Sequence, residues 1–259
     1  MRVARACRTP TVLGALLLGS CGPTTPLARE VTIGTDAYAV FVGDGRGAGS
    51  DLYAVPGRGG RAIQLTYSPV DEMAPALAPD GGALAFVRRV PNGGRSVWVL
   101  NLISGAEREL APPDSAAPAI RVGWSADGSA LYVETDGGDV WRAAAPPRDP
   151  APAPVGRGNA GADSALAVLV GAPAFARVAP CADDPAALCA TSPDGVSQLA
   201  SSARAPARWG GDSVAYLAGD DLMVRPLGPG RVRAVEITDP PRNPRELTAF
   251  ALSQAPDPR

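Results

Sequence analysis

The chain of 259 residues contains no histidine. Without an imidazole there is no Ser-His-Asp or Cys-His nucleophile arrangement and no histidine metal triad. Lysine is missing too, so every basic side chain is arginine. The 24 basic and 26 acidic residues nearly cancel, leaving a formal net charge of −2. No basic stripe of the kind that tracks a nucleic-acid backbone stands out, so nucleic acid is not an expected partner. Aromatic residues make up only 5% of the chain, and no apolar run is long enough to cross a bilayer as a helix. Beyond the first thirty residues no segment sustains a helical hydrophobic period, which predicts a chain almost without helix.

Motifs of catalysis and cofactor binding are equally scarce. Gly123-Trp124-Ser125-Ala126-Asp127 ends on the wrong residue for a Gly-x-Ser-x-Gly elbow. The glycine-rich Gly43 to Gly49 lacks the Gly-Lys-Ser/Thr ending of a phosphate loop and reads as a hairpin loop. The carboxylate pairs Asp71-Glu72, Asp183-Asp184 and Asp220-Asp221 have no further ligand spacing, so solvated turns are expected rather than calcium sites or acid/base pairs. No cofactor, metal or catalytic residue is assigned.

What the chain does have is glycine and proline, 30 and 28 residues, and a repeat. Turn aspartates recur at Asp36, Asp80, Asp127, Asp163 and Asp212, spaced 44, 47, 36 and 49 residues apart. After each comes an apolar run: Tyr38 to Phe41, Ala83 to Phe86, Ala130 to Val133, Ala165 to Val168, Ser213 to Tyr216. A second column follows in the same register, namely Leu52-Tyr53, Val97-Trp98, Val140-Trp141, Leu188-Cys189 and Leu222-Met223. Pro79-Asp80-Gly81 and Pro193-Asp194-Gly195 supply turn chemistry, with the preset φ of proline, the positive φ open to glycine and the self-capping of Asp. Short strands at this period predict an all-β propeller, most simply of five four-stranded blades with six as the alternative. Trp98, Trp124, Trp141 and Trp209 all fall in repeat register, where packing between stacked sheets accounts for them.

Two insertions interrupt the pattern. Ala143 to Ala162, dense in Pro and Gly, is expected to form a mobile extended connection between the third and fourth blades. Gly171 to Asp184 is expected to be an insertion within the fourth. At the C-terminus, Thr248 to Asp257 resembles an inner strand and turn lacking the rest of its blade. Pairing Phe250 to Ser253 beside Tyr38 to Val42 would close the ring between the N- and C-terminal strands and remove two edges. In the alternative, Val31 to Gly34 supplies that inner strand.

Ala78-Pro79-Asp80-Gly81 with Leu84 to Val87, and Trp124 to Gly128 with Leu131 to Val133, resemble the WD40-like repeat of the TolB type, over roughly residues 31 to 259. The resemblance implies a propeller of the kind found in TolB and in many envelope proteins, and it is specific for the fold rather than for an activity. TolB proteins also carry an α/β domain ahead of the propeller, for which this sequence has no segment to spare.

Residues 1–20 read as an export signal: Arg2, Arg5 and Arg8, a short apolar run, then Leu18-Gly19-Ser20-Cys21, which resembles a bacterial lipoprotein box. Cys21 would then be lipidated, with Cys7 lost on cleavage, residues 21–30 as a tether and 31–259 as the propeller. An ordinary cleaved signal with a chance cysteine is the alternative. Export to an oxidising space makes Cys181 and Cys189 a candidate disulfide. Their spacing is neither CxxC nor part of a zinc pattern, which disfavours a redox or metal pair. Two functions remain open: a lipid-anchored envelope scaffold that binds an unidentified envelope protein, or a glycan-acting enzyme or accessory subunit with carboxylates converging on the channel.

Overall fold

The computed structural model describes residues 24–252, apart from 46, 92, 114–115, 146–151, 156–157, 168–176, 193–194 and 229. Of the described residues 53% are strand and 6% helix. Cys21, the export signal and most of the Pro193-Asp194-Gly195 turn lie outside them.

Four antiparallel sheets have four strands each, and in three of them the strands follow one another along the chain. The second sheet holds Glu72–Leu77, Ala83–Arg89, Arg95–Asn101 and Glu107–Leu110. The third holds Ala119–Trp124, Ala130–Thr135, Val140–Ala144 and Ala153–Val155. The fifth holds Arg204–Trp209, Ser213–Ala218, Asp221–Pro226 and Arg233–Val235. The first sheet is discontinuous in sequence: Arg242–Phe250 lies beside Tyr38–Asp44, followed by Ser50–Pro56 and Ile63–Gln64.

The two sequence columns prove to be cross-strand partners. Phe41 lies opposite Tyr53, Phe86 opposite Trp98, Val133 opposite Trp141 and Tyr216 opposite Met223. Such facing pairs of large side chains are the unit that stabilises a sheet. Three turn aspartates sit in the hairpins between first and second strands. Asp80 accepts the Gly82 N–H at 2.8 Å. Asp127 accepts the Ser125 hydroxyl together with the Ser129 N–H and hydroxyl, which hold its carboxyl down at about 2.

The terminal strands pair as expected, with a shift in position. Phe250 opposes Tyr38 and Thr248 opposes Val40, but the strand runs from Arg242 to Phe250 rather than onward from Phe250. Residues 242–247 are strand although they contain the turn-type pair Asn243-Pro244. Val31 to Gly34 is not a strand. Further back, α1 (Pro26–Glu30) is capped by Thr25 and buries Leu27 completely, so this half of the tether region packs against the first two sheets.

The fourth sheet corrects the column reading. It has three strands, Arg177–Pro180, Leu188–Ser192 and Gly195–Ala200. Asp163 and Ala165 to Val168 are expected to form a turn and strand, but α2 (Ala160–Leu166) occupies most of that stretch, and Val168 lies outside the described residues. Arg177–Pro180, within the expected insertion, supplies the strand instead. Within the Pro/Gly-rich stretch, Ala153–Val155 pairs on the third sheet and Asn159 caps α2. An Asn cap before an Ala-rich run with buried Ala162 and Leu166 four apart is a helix signal, and repeat alignment on Asp163 obscured it.

Cys181 and Cys189 are disulfide-bonded, with Cα atoms 5.0 Å apart, tying the loop after Arg177–Pro180 to the next strand. The first and fifth sheets share a core containing Phe41, Tyr53, Trp209 and Leu222. A short parallel pair, Gly60–Arg61 with Ile237–Thr238, joins the same two sheets.

Candidate functional site

The first strands of the first, second, third and fifth sheets, with the end of α2, face a common cavity of about 670 Å3. That volume lies in the range of small-ligand pockets, roughly 300–1,000 Å3. Its walls are mostly small and apolar, with Met73, Leu77, Pro206, Leu247 and Ala249 among them. Trp124 stands at its edge and donates its indole N–H to the Ala76 carbonyl at 2.9 Å, linking third sheet to second.

Three of these inner strands are bulged where they approach the cavity. Register shifts occur at Met73/Ala76, at Arg204/Ala207 and opposite Val40/Val42. Each bulge contains one non-glycine residue with positive φ: Ala74 at 50°, Ala205 at 48°, Glu246 at 51°. Holding an L-residue there costs about 1–2 kcal/mol, and bulges of this kind re-aim backbone groups beside functional sites. Ala74 and Ala205 each precede proline, which biases them toward extended backbone; the sequence therefore gave no sign of the left-handed turn.

The carboxylate of Glu246 accepts the Ala74 N–H, and Thr248 accepts the Leu77 N–H at 3.3 Å, stitching the first sheet to the second. Glu246 is the one carboxylate among the described residues of the wall. Arg121 is paired with Glu134 at 2.6 Å, and Arg208 spends its Nε–H on the Gly210 carbonyl at 2.8 Å. Two carboxylates facing each other across the cavity, as acid/base hydrolysis of a glycan requires, are not found among the described residues. Nor do three His, Cys, Asp or Glu side chains converge on a metal position among them.

Glycine is needed where α2 meets the third sheet: a Cβ on Gly123 would collide with the Ala165 carbonyl. The helix thereby stands at the cavity where an inner strand stands in the other sheets.

One of the three carboxylate pairs does not lie in a solvated turn. Glu72 is fully buried and takes two N–H groups of Arg88 at 2.8 and 2.6 Å, with the Thr66 hydroxyl on its other oxygen. Arg88 also reaches Glu107 at 2.8 Å and stacks over Trp98 at 4.4 Å. Burial pushes the Glu72 carboxyl up, against the opposing pull of Thr66 and Arg88. Asp51, nearly buried beside it, is pushed up by burial as well, opposed by the Ser68 N–H and Gln64. This network joins the first sheet to the second and lies away from the central cavity. Register decides it, since Glu72 and Arg88 are cross-strand partners 16 residues apart.

Neither Cys21 nor any lipid attachment falls within the described residues. Among them no helix is long and apolar enough to cross a membrane.

No family model matches the chain, and no curated protein matches it. Solved structures do. The chain is similar to TolB of Acinetobacter baumannii, with 14% identity and a TM-score of 0.39 over 86% of this chain and 69% of that one. A TolB-assigned protein of Agrobacterium tumefaciens follows with 14% identity, a TM-score of 0.38 and coverage of 77% and 64%. An uncharacterized protein of Listeria monocytogenes has 7% identity, a TM-score of 0.35 and coverage of 74% and 60%.

Proposed function

We propose that the chain is a protein-binding module of the bacterial cell envelope, built as a five-bladed propeller and held at a membrane by a lipid on Cys21. In this reading the sheets follow one another around the cavity. Glu246 and Thr248 join the first to the second, Trp124 joins the second to the third, and α2 packs on the third. Arg225 donates to the Leu199 carbonyl between fifth and fourth, and the parallel pair returns from fifth to first. In this reading α2 takes the place of an inner strand in the fourth blade, and Arg242–Phe250 closes the ring against Tyr38–Asp44.

The observation that carries the binding role is the chemistry of the central wall. It offers small apolar side chains and bulged backbone, and its one carboxylate among the described residues is already engaged by Ala74. Such a surface suits an apolar partner segment entering the mouth, and assigns the chain no bond-making chemistry. A photo-crosslinking side chain placed at position 208, at the mouth, should trap one envelope protein in living cells. The same probe at Val196, on the outer strand of the fourth sheet, should not. Capture at Val196 with none at 208 would overturn the proposal, and so would release of a modified glycan by the purified chain.

A further inference from the structure

The residues ahead of α1 are fastened to a turn at one end of the second sheet. The Thr25 N–H donates to the Ile103 carbonyl at 3.0 Å, and the Thr25 hydroxyl donates to the Leu102 carbonyl. The turn itself is tight. Asn101 Oδ1 accepts the N–H groups of Ile103 and Ser104 at 3.0 and 2.8 Å, and Gly105, at φ 75°, donates its N–H to the Asn101 carbonyl at 2.8 Å. Asn, Ser and Gly are ordinary turn residues. Ile103 is not, and it is 51% exposed.

A single exposed isoleucine is common on a protein surface; its distance from Cys21 is what gives this one a role. Cys21 lies four residues before Thr25, and that length of chain spans at most about 14 Å when fully extended. A lipid on Cys21 therefore brings a headgroup layer within that reach of Thr25 and of the turn bonded to it. Arg29, exposed and with its Nε–H on Thr24 at 3.4 Å, supplies a cation for lipid phosphate. The Leu102 N–H donates to the Gly82 carbonyl at 3.0 Å, so the turn stands beside the Asp80 hairpin, which lies nearer the central cavity. Exposed Asp80, and Asp127 in the neighbouring hairpin, would meet the phosphate layer with like charge. Contact is therefore favoured at the outer rim of the second sheet, with the central mouth tilted clear of the bilayer.

We infer, resting on the proposed lipidation of Cys21, that residues 24–29 and 101–105 form a membrane-contact rim from which Ile103 enters the interfacial layer of a phospholipid bilayer. The other end of the second sheet, where Glu72 opposes Arg88 and the connection through Tyr67 enters, faces away from the bilayer.

The test uses the full chain, exported and processed in a bacterial host, with a diazirine side chain at position 103 or at position 67. Both positions are exposed, so the substitution leaves the packed sheets intact. After irradiation of intact membranes, mass spectrometry reads lipid on Cys21 and phospholipid at the probe. The expected result is lipid on Cys21 in both proteins, a gain of one phospholipid mass at 103, and no gain at 67. With lipid on Cys21, equal labelling at the two positions or none at 103 overturns the inference and leaves the anchor standing. A protein crosslink at 103 in place of phospholipid does the same. Absence of lipid on Cys21 overturns the anchor and the membrane rim together.

Discussion

Arg88 holds the ion pair with the most at stake, because its partner Glu72 has no contact with solvent. Replacing Arg88 with Met leaves that carboxylate buried and uncompensated, a change that typically costs about 3–5 kcal/mol. Burial already raises the Glu72 pKa, and loss of Arg88 removes one of the influences opposing the rise. A carboxyl with a raised folded pKa contributes stability that is present below its unfolded value, about 4.3, and lost as pH rises through the folded one. Urea unfolding should therefore find Arg88→Met much less stable than wild type at pH 8 and closer to it at pH 5. Equal losses at the two pH values would mean that the buried charge is not the source. At the disulfide, the Cys181→Ser, Cys189→Ser double variant should stay folded and lose no more than about 2–3 kcal/mol, because the loop closed is short. Calorimetry and thiol labelling check it. The cysteine pair was legible as a candidate bridge from the expected export signal, with spacing that fits neither a CxxC nor a zinc pattern. The role of Glu72 was not, since nothing local distinguishes a carboxylate in a turn from one set opposite an arginine by strand register.

Among the elements, Arg242–Phe250 has the largest structural consequence. It covers the edge of Tyr38–Asp44, and its Phe250 ring packs on Tyr38 and within 2.8 Å of where a Gly81 Cβ would stand. The Tyr38 hydroxyl donates to the Gly81 carbonyl, so strand and turn are fastened together. Deleting Glu246 to Arg259 should expose an unpaired, apolar strand edge and abolish cooperative unfolding, with aggregation on concentration. A cooperative transition near the wild-type midpoint would refute this role. The second and third strands of four sheets were legible because large residues recur in register and face one another across the ladder. The inner strands were harder to read, as bulges at Ala74, Ala205 and Glu246 break the two-residue alternation on which strand recognition depends. α2 escaped because a seven-residue helix is shorter than a window that reveals helical period.

For the molecule as a whole, the proposed anchor and the proposed mouth make separate demands. Cys21→Ser should move the protein from the membrane to the soluble fraction while leaving its melting temperature unchanged. A variant that remains membrane-bound would remove Cys21 as the anchor. Partner capture through position 208 should fall in that variant only if the partner is itself held at the membrane.

Composition and repeat settled the all-β class, since turn chemistry and strand period are local properties of the chain, and they pointed to the pairing of the first and last strands and to the cysteine bridge. Assembly settled the rest. Which carboxylate is buried and which backbone turns left-handed at the central cavity both follow from strand register and from how neighbouring sheets meet. Those are contacts between residues as far apart as Ala74 and Glu246. No local pattern encodes them, because each depends on surfaces that exist only once the sheets have packed.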